Sequence, residues 1–135
     1  MNETTVRLVK DSFALVAPIA PQAAQLFYDN LFAADPSVKA LFKGDMTAQG
    51  HKLMQMIGVA VGKLDQPDVL LPVLRNLGER HLAYGVTDAH YETVGGALLK
   101  TLGQGLGPAF TPEVQTAWTE VYGVIANTMK EAAKA

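Results

Sequence analysis

The sequence has no cysteine. That excludes a disulfide framework, a thiolate metal site and a cysteine nucleophile, and it suits a reducing compartment without requiring one. It also lacks a surplus of positive charge: 11 lysines and arginines stand against 13 acids, a formal net charge of −2. A nucleic-acid partner would need a basic face that this balance does not supply. No run of like charges marks an interaction tail. No apolar stretch is long enough to span a membrane, and the opening MNETTVRLVKDSFALVA is charged and amphipathic rather than signal-like. The expectation is a cytoplasmic protein with neither nucleic acid nor membrane as partner. Strand alternation, internal repeats and low-complexity segments are missing as well. So are HExxH, GxGxxG and P-loop patterns, and neither Ser12 nor Ser37 sits in a nucleophile motif.

Helical periodicity runs through the chain instead. Its 135 residues, 49% of them apolar, read as one all-α domain, residues 1–135, with a substantial core. Val6, Val9, Phe13 and Val16 mark a helix from about residue 3 to 17, capped by Asn2, Thr4 or Thr5 and ended by Pro18. Pro21 opens a second, to about residue 34, with Ala24, Phe27, Tyr28 and Leu31 on one face. Asp35-Pro36 starts a short helix ending at Leu41-Phe42, and Lys43-Gly44-Asp45 is a turn. Gln49, Leu53, Met56, Ile57, Ala60 and Leu64 form the stripe of a helix from about Thr47 to Leu64. Gly58 and Gly62 would let it approach the small residues Ala20, Ala23 and Ala24. Pro67 and Pro72 each restart a helix, which makes Gln66 to Leu71 a short separate turn. The following helix ends at Gly85. Thr87 or Asp88 caps another, to about Leu102, with Tyr91, Val94, Leu98 and Leu102 inward; Gly103, Gly105, Gly107 and Pro108 form a loop. Thr111-Pro112-Glu113 opens the last helix, which carries Val114, Trp118, Val121, Ile125 and Met129 inward.

Leu70, Val73, Leu74, Leu77, His81 and Tyr84 recur at steps of three and four, one face of a helix. His81 therefore lies on the stripe that should be buried, and Gly78 costs that helix roughly 1 kcal/mol relative to alanine. A bulky flat group close to this helix would explain both. So would a core histidine hydrogen-bonded to a carbonyl. His51 falls opposite Gln49, His90 points sideways or outward beside Tyr91, and no two histidines have metal-ligand spacing. Asp29 and Glu79 read as solvated. Tyr28, Gln49, His81 and Tyr91 remain as polar groups on apolar stripes of four helices. Each has an ordinary reading: core tyrosines with satisfied hydroxyls, a helix-start glutamine, a structural histidine. Together they also suit a metal-containing plane, ligated by the histidine on one side, with the hydroxyl and amide donating on the other.

These stretches resemble a known family. Phe27-Tyr28-Asp29-Asn30-Leu31-Phe32, then Asp35-Pro36-Ser37-Val38 and Leu41-Phe42, is similar to the second and third helices of bacterial globins. Arg80-His81 through Tyr84-Gly85-Val86, then Ala89-His90-Tyr91-Glu92-Thr93-Val94-Gly95, resembles their proximal region, and Ala117-Trp118 with Val121 to Ile125 their last helix. The likeness covers nearly the whole chain and is greatest to single-domain bacterial haemoglobins and the globin domain of flavohaemoglobins. It implies a three-over-three globin fold around haem b, iron protoporphyrin IX. His81 would be the proximal iron ligand, and Phe42 would pack on the porphyrin. Tyr28 and Gln49 would form the distal pair, with Leu53 flanking the ligand. Ile57, Leu77, Val86, Tyr91 and Val94 would line the haem, the ring resting on Leu77 and Gly78. Lys52 would approach a propionate or remain a free surface lysine. Glutamine at the distal position argues against a bis-histidyl resting state.

The resemblance implies reversible binding of O2, NO or CO, for oxygen binding, delivery or storage. Donors from Tyr28 and Gln49 should hold oxygen more firmly than carbon monoxide, since bound oxygen is the more polar. The enzymic alternative is nitric oxide dioxygenase or nitrite reductase, drawing electrons from a separate reductase because the chain carries no flavin or nicotinamide module. A haem-free sensing domain is a third reading, against which His81, Phe42 and the distal pair speak. A monomer or weak homodimer is expected. In flavohaemoglobin-like globins a tyrosine at the place of Tyr91 and a late glutamate hydrogen-bond towards the proximal histidine. Counting from Trp118 and Tyr122, the acid's place here is Ala133; Glu131, two residues earlier, points about 200° away.

Overall fold

The structure, a computed structural model, describes residues 2–42 and 44–134. Among them are six α-helices and no strand: α1 (Glu3–Val16), α2 (Ala20–Ala34), α3 (Met46–Gly62), α4 (Pro67–Ala83), α5 (Asp88–Leu106) and α6 (Pro112–Lys134). Short 3-10 helices at Ala17–Ile19, Pro36–Leu41 and Gly107–Ala109 join them. The expected turn at 43–45 is described only from Gly44 on, since Lys43 lies outside the described residues.

Side-chain caps start the helices where the sequence provides them. Asn2 accepts from the Thr5 amide at 2.8 Å, Asp45 from the Thr47 amide at 2.9 Å and Thr111 from the Val114 amide at 3.3 Å. His90 does more than point outward: its Nδ1 accepts from the Thr87 amide at 2.9 Å and closes a capping box. The helices pack as α4 on α6, α2 on α5 and α3, and α1 on α6. Buried Trp118 donates to Ser12 Oγ at 2.8 Å, tying α6 to α1. Asn30 donates to Thr101 and Gln104, tying α2 to α5.

Four expectations are corrected. Pro72 does not restart a helix; it lies inside the continuous α4. The hydrogen bond it forgoes belongs to the Asp68 carbonyl, on an exposed residue that water reaches, while Leu70 and Leu74, 2% and 1% exposed, anchor the chain on either side. Gly103 and Gly105 are helical rather than looped, because α5 continues to bury Leu106. Burying a leucine is worth about 1.5–3 kcal/mol, more than the roughly 1 kcal/mol each helical glycine costs. Tyr84, expected inward, is 65% exposed. It caps α4 just before Gly85, whose φ of +91° turns the chain, with Val86 N–H donating to the His81 carbonyl and Gly85 N–H to that of Leu82. Finally, α3 meets α2 at Gly50, where an added Cβ would lie 3.0 Å from that of Ala24; Gly58 faces Phe13, and nothing lies within 4 Å of a Cβ at Gly62.

Candidate functional site

The apolar stripe of α4 carries His81 to the inner side of the last turn. Its Nδ1 lies 2.8 Å from the Leu77 carbonyl, four residues back. A carbonyl only accepts, so Nδ1 carries the proton and donates, leaving the Nε2 lone pair as the ring's free basic site. Burial holds the imidazole below its ordinary value of 6.5, outweighing the Leu77 hydrogen bond, which acts upward. The ring is therefore neutral at neutral pH.

The same shift predicts a pH dependence for the haem-free protein. The unfolded chain takes up the His81 proton first as pH falls, so this contribution is present above 6.5 and is lost as pH drops from there through the lower folded value. Thermal melts of haem-free wild type should lose stability across that window, and those of His81→Gln should lose less. Parallel pH profiles would overturn the assignment.

Tyr28 is 6% exposed in the middle of α2. Its ring lies edge-on to Phe27 and Phe42, each 5.4 Å away between centroids, and stacks on Phe32 at 5.9 Å. Leu31, Val38 and Ala97 complete the buried part of this cluster, with Leu41, Phe42, Met46, Leu53, Val94 and Leu98 half-buried around it. Burial alone pushes the Tyr28 hydroxyl up to about 12, so it stays a proton donor at any physiological pH. Gln49 is half-buried in the first turn of α3, its amide N–H donating to the Asp45 carbonyl. Leu53 and Ile57 follow one and two turns on. Lys52 is exposed.

On the other side of His81, Tyr91 is 8% exposed and its ring lies nearly parallel to the imidazole, 28° apart and 6.5 Å between centroids. The Tyr122 hydroxyl donates to the Tyr91 carbonyl at 2.6 Å and fits there because Gly95 has no Cβ, which would sit 2.7 Å from the Tyr122 ring. Burial pushes that hydroxyl well above its ordinary value. Periodicity alone passed over Tyr122, whose neighbour Val121 carries the stripe. Burial, and then the charge of Asp88, push the Tyr91 hydroxyl up. Glu131 does not take the supporting place, since it is exposed and faces a surface groove of about 440 Å³ with Leu71, Arg75 and Glu79. The charged group that reaches the Tyr91 ring from α6 is Lys130, its Nζ 5.6 Å from the ring centroid. Nothing in the spacing of the sequence singles out Lys130, which is half-buried.

One residue expected at the site is elsewhere. Gly78 is buried against α6, where a Cβ would meet the Met129 backbone, 2.7 Å from its Cα. The glycine serves a helix crossing, so it is not a surface for a flat ring. The apolar residues expected to line the haem divide between two clusters. Phe42, Leu53 and Val94 belong with Tyr28, whereas Ile57, Leu77 and Val86 pack on the main core. All six are half-buried. A closed interior would bury them fully. Helix α4 packs extensively on α6 only, so its histidine-bearing side is not closed by another helix of comparable contact. A neutral imidazole with a free Nε2, half-buried apolar side chains and a buried phenol fit a flat, apolar, iron-containing group.

The sequence profile of the globin family matches residues 25–129. The chain is 34% identical to a flavohaemoprotein of Rhodopirellula baltica and 32% identical to one of Xylella fastidiosa, over 130 residues in each case and 94% of this chain. It spans about a third of the length of these relatives, 32% of each. Among solved structures, an engineered carbene transferase of Rhodothermus marinus origin, assigned as a nitric oxide dioxygenase, superposes with a TM-score of 0.89 at 25% identity, covering 99% of this chain and 94% of that one. A globin from Campylobacter jejuni superposes at 0.85 with 24% identity, covering 98% and 96%, and shares the fold. The chain belongs to the globin family, with an all-α globin fold and haem as the cofactor that membership implies.

Proposed function

We propose that residues 1–135 form one globin domain that holds haem b through His81 and binds oxygen reversibly, with nitric oxide and carbon monoxide as competing ligands. The observation that carries this reading is the His81 ring: Nδ1–H is fixed on the Leu77 carbonyl, and Nε2 is left for iron. Haem, when bound, would supply an iron able to take diatomic ligands. His81 holds it from α4. Phe42, Leu53, Ile57, Leu77, Val86 and Val94 would exclude water from its faces, and Lys52 would approach a propionate. Tyr28, kept protonated by burial, and Gln49 donate hydrogen bonds on the ligand side.

Two measurements test this. The purified chain given haemin should develop a sharp Soret band at one equivalent, and no band overturns the reading. A hydrogen bond to a charged or strongly polar partner is worth about 1.5–3 kcal/mol. At about tenfold per 1.4 kcal/mol, Tyr28→Phe should speed oxygen dissociation about tenfold to hundredfold, with a smaller effect on carbon monoxide. An unchanged oxygen rate removes Tyr28 from the ligand's environment.

The likeness to flavohaemoproteins and to the Rhodothermus protein favours a second reading, nitric oxide dioxygenase; nitrite reduction is the related enzymic alternative. Electrons would then come from a reductase outside these residues. Repeated turnover of nitric oxide to nitrate with an added reductase supports it; a single turnover leaves reversible binding.

A further inference from the structure

We infer that Lys130 is a positioning residue for the iron's redox state: acting through Tyr91 on His81, its cation holds the haem towards the ferrous form. The inference rests on haem ligation by His81, proposed above.

Three observations place the charge. The Lys130 ammonium lies 5.6 Å from the Tyr91 ring centroid, and Tyr91 in turn stacks on His81. Lys130 is half-buried. Its neighbouring charges do not cancel it. Asp88 also acts on Tyr91 through its charge, but it is an exposed carboxylate shared with Lys134 at 3.2 Å; Glu131 faces the groove beyond, and among the described residues no carboxylate pairs with Lys130. A cation over a tyrosine ring draws on the ring's electron density. The polarised ring, and the positive potential behind it, make the facing imidazole a poorer electron donor to a metal. Oxidation of ferrous iron adds one positive charge to the site, which a partly desolvated cation opposes. Tyr91 thus transmits a pull, where a carboxylate in the same place would transmit a push. The ferrous form is the one that binds oxygen reversibly, so this lysine favours binding over oxygen activation.

The couple is one electron, ferric iron plus an electron from the redox mediator giving ferrous iron. Spectroelectrochemical titration of haem-loaded wild type, Lys130→Arg, Lys130→Met and Lys130→Glu reads it directly. Arginine should keep the wild-type potential, methionine lower it and glutamate lower it further. For glutamate the ferrous-to-ferric ratio at a fixed applied potential should fall about tenfold, equivalent to about 59 mV for one electron. The iron–histidine stretching band of the ferrous protein should rise in the same order, a signature that loss of packing alone would not produce. A normal Soret band with unchanged potential and stretching frequency in both Lys130→Met and Lys130→Glu overturns the inference. A wild-type protein without a Soret band overturns the haem reading on which it rests. Should Lys130→Glu fail to fold, the methionine and arginine variants decide it.

Discussion

His81→Gly is expected to lower haem affinity by about a hundredfold or more, since losing even an outer support of a metal ligand costs about 10–100-fold. The haem-free fold should survive. His81 is half-buried and its hydrogen bond to Leu77 is local to α4, so removing it falls among substitutions that cost about 1 kcal/mol. Added imidazole should enter the space left by the ring and restore a histidine-type Soret band. That rescue separates ligation from a structural role, because a merely structural histidine would leave haem uptake unchanged and imidazole without effect. Circular dichroism of the haem-free variant checks that the helices persist.

Gly78→Ala should lower stability sharply although a mid-helix alanine is ordinarily favoured. Propensity alone predicts a gain of roughly 1 kcal/mol. Against it, the new Cβ would stand 2.7 Å from the Met129 Cα and closer still to its carbonyl. Both obstacles are backbone, which cannot swing aside as a side chain can, so α4 and α6 must separate. Overpacking of this kind costs about 1–3 kcal/mol, and here the crossing is the main attachment of α4. With both obstacles backbone, the net expectation lies at the upper end of that difference, a loss of about 1–2 kcal/mol, read as a fall in Tm of about 4–8 °C. Gly96→Ala is the contrast: nothing lies within 4 Å of its Cβ, the residue is exposed, and α5 should gain about 0.5–1 kcal/mol. Equal changes at the two positions would show that propensity, and not the crossing, decides both. Because α4 also carries His81, Gly78→Ala should weaken haem retention as well.

Much of the architecture was legible because its signals are local. Asn2, Asp35, Asp45 and Thr111 each start a helix through a hydrogen bond to a residue two or three positions on. The stripes through Val9, Leu31, Leu74 and Val121 mark residues that are at most 1% exposed. His81 and Tyr28 stood out as polar groups on such stripes. The misreadings of Pro72, Gly103 and Gly105 share one cause. Pro72, Gly103 and Gly105 carry local penalties of the order of 1–3 kcal/mol, and flanking buried leucines outweigh or sidestep them. Tyr84 had the right spacing but followed the last helical residue, where period no longer assigns a face.

The sequence by itself determined that the chain is helical, where most helices start and which side chains turn inward, because period and capping act within a few residues. Its ordered stretches also carried the resemblance to globins. Only the tertiary structure decided that Gly78 serves the crossing of α4 and α6, that Gly50 rather than Gly58 meets α2, and that Lys130 is the charge from α6 that reaches the Tyr91 ring. Each of these depends on which surface arrives from a distant part of the chain. A single residue's spacing states which way it faces, but what it faces is set by the packing of the whole.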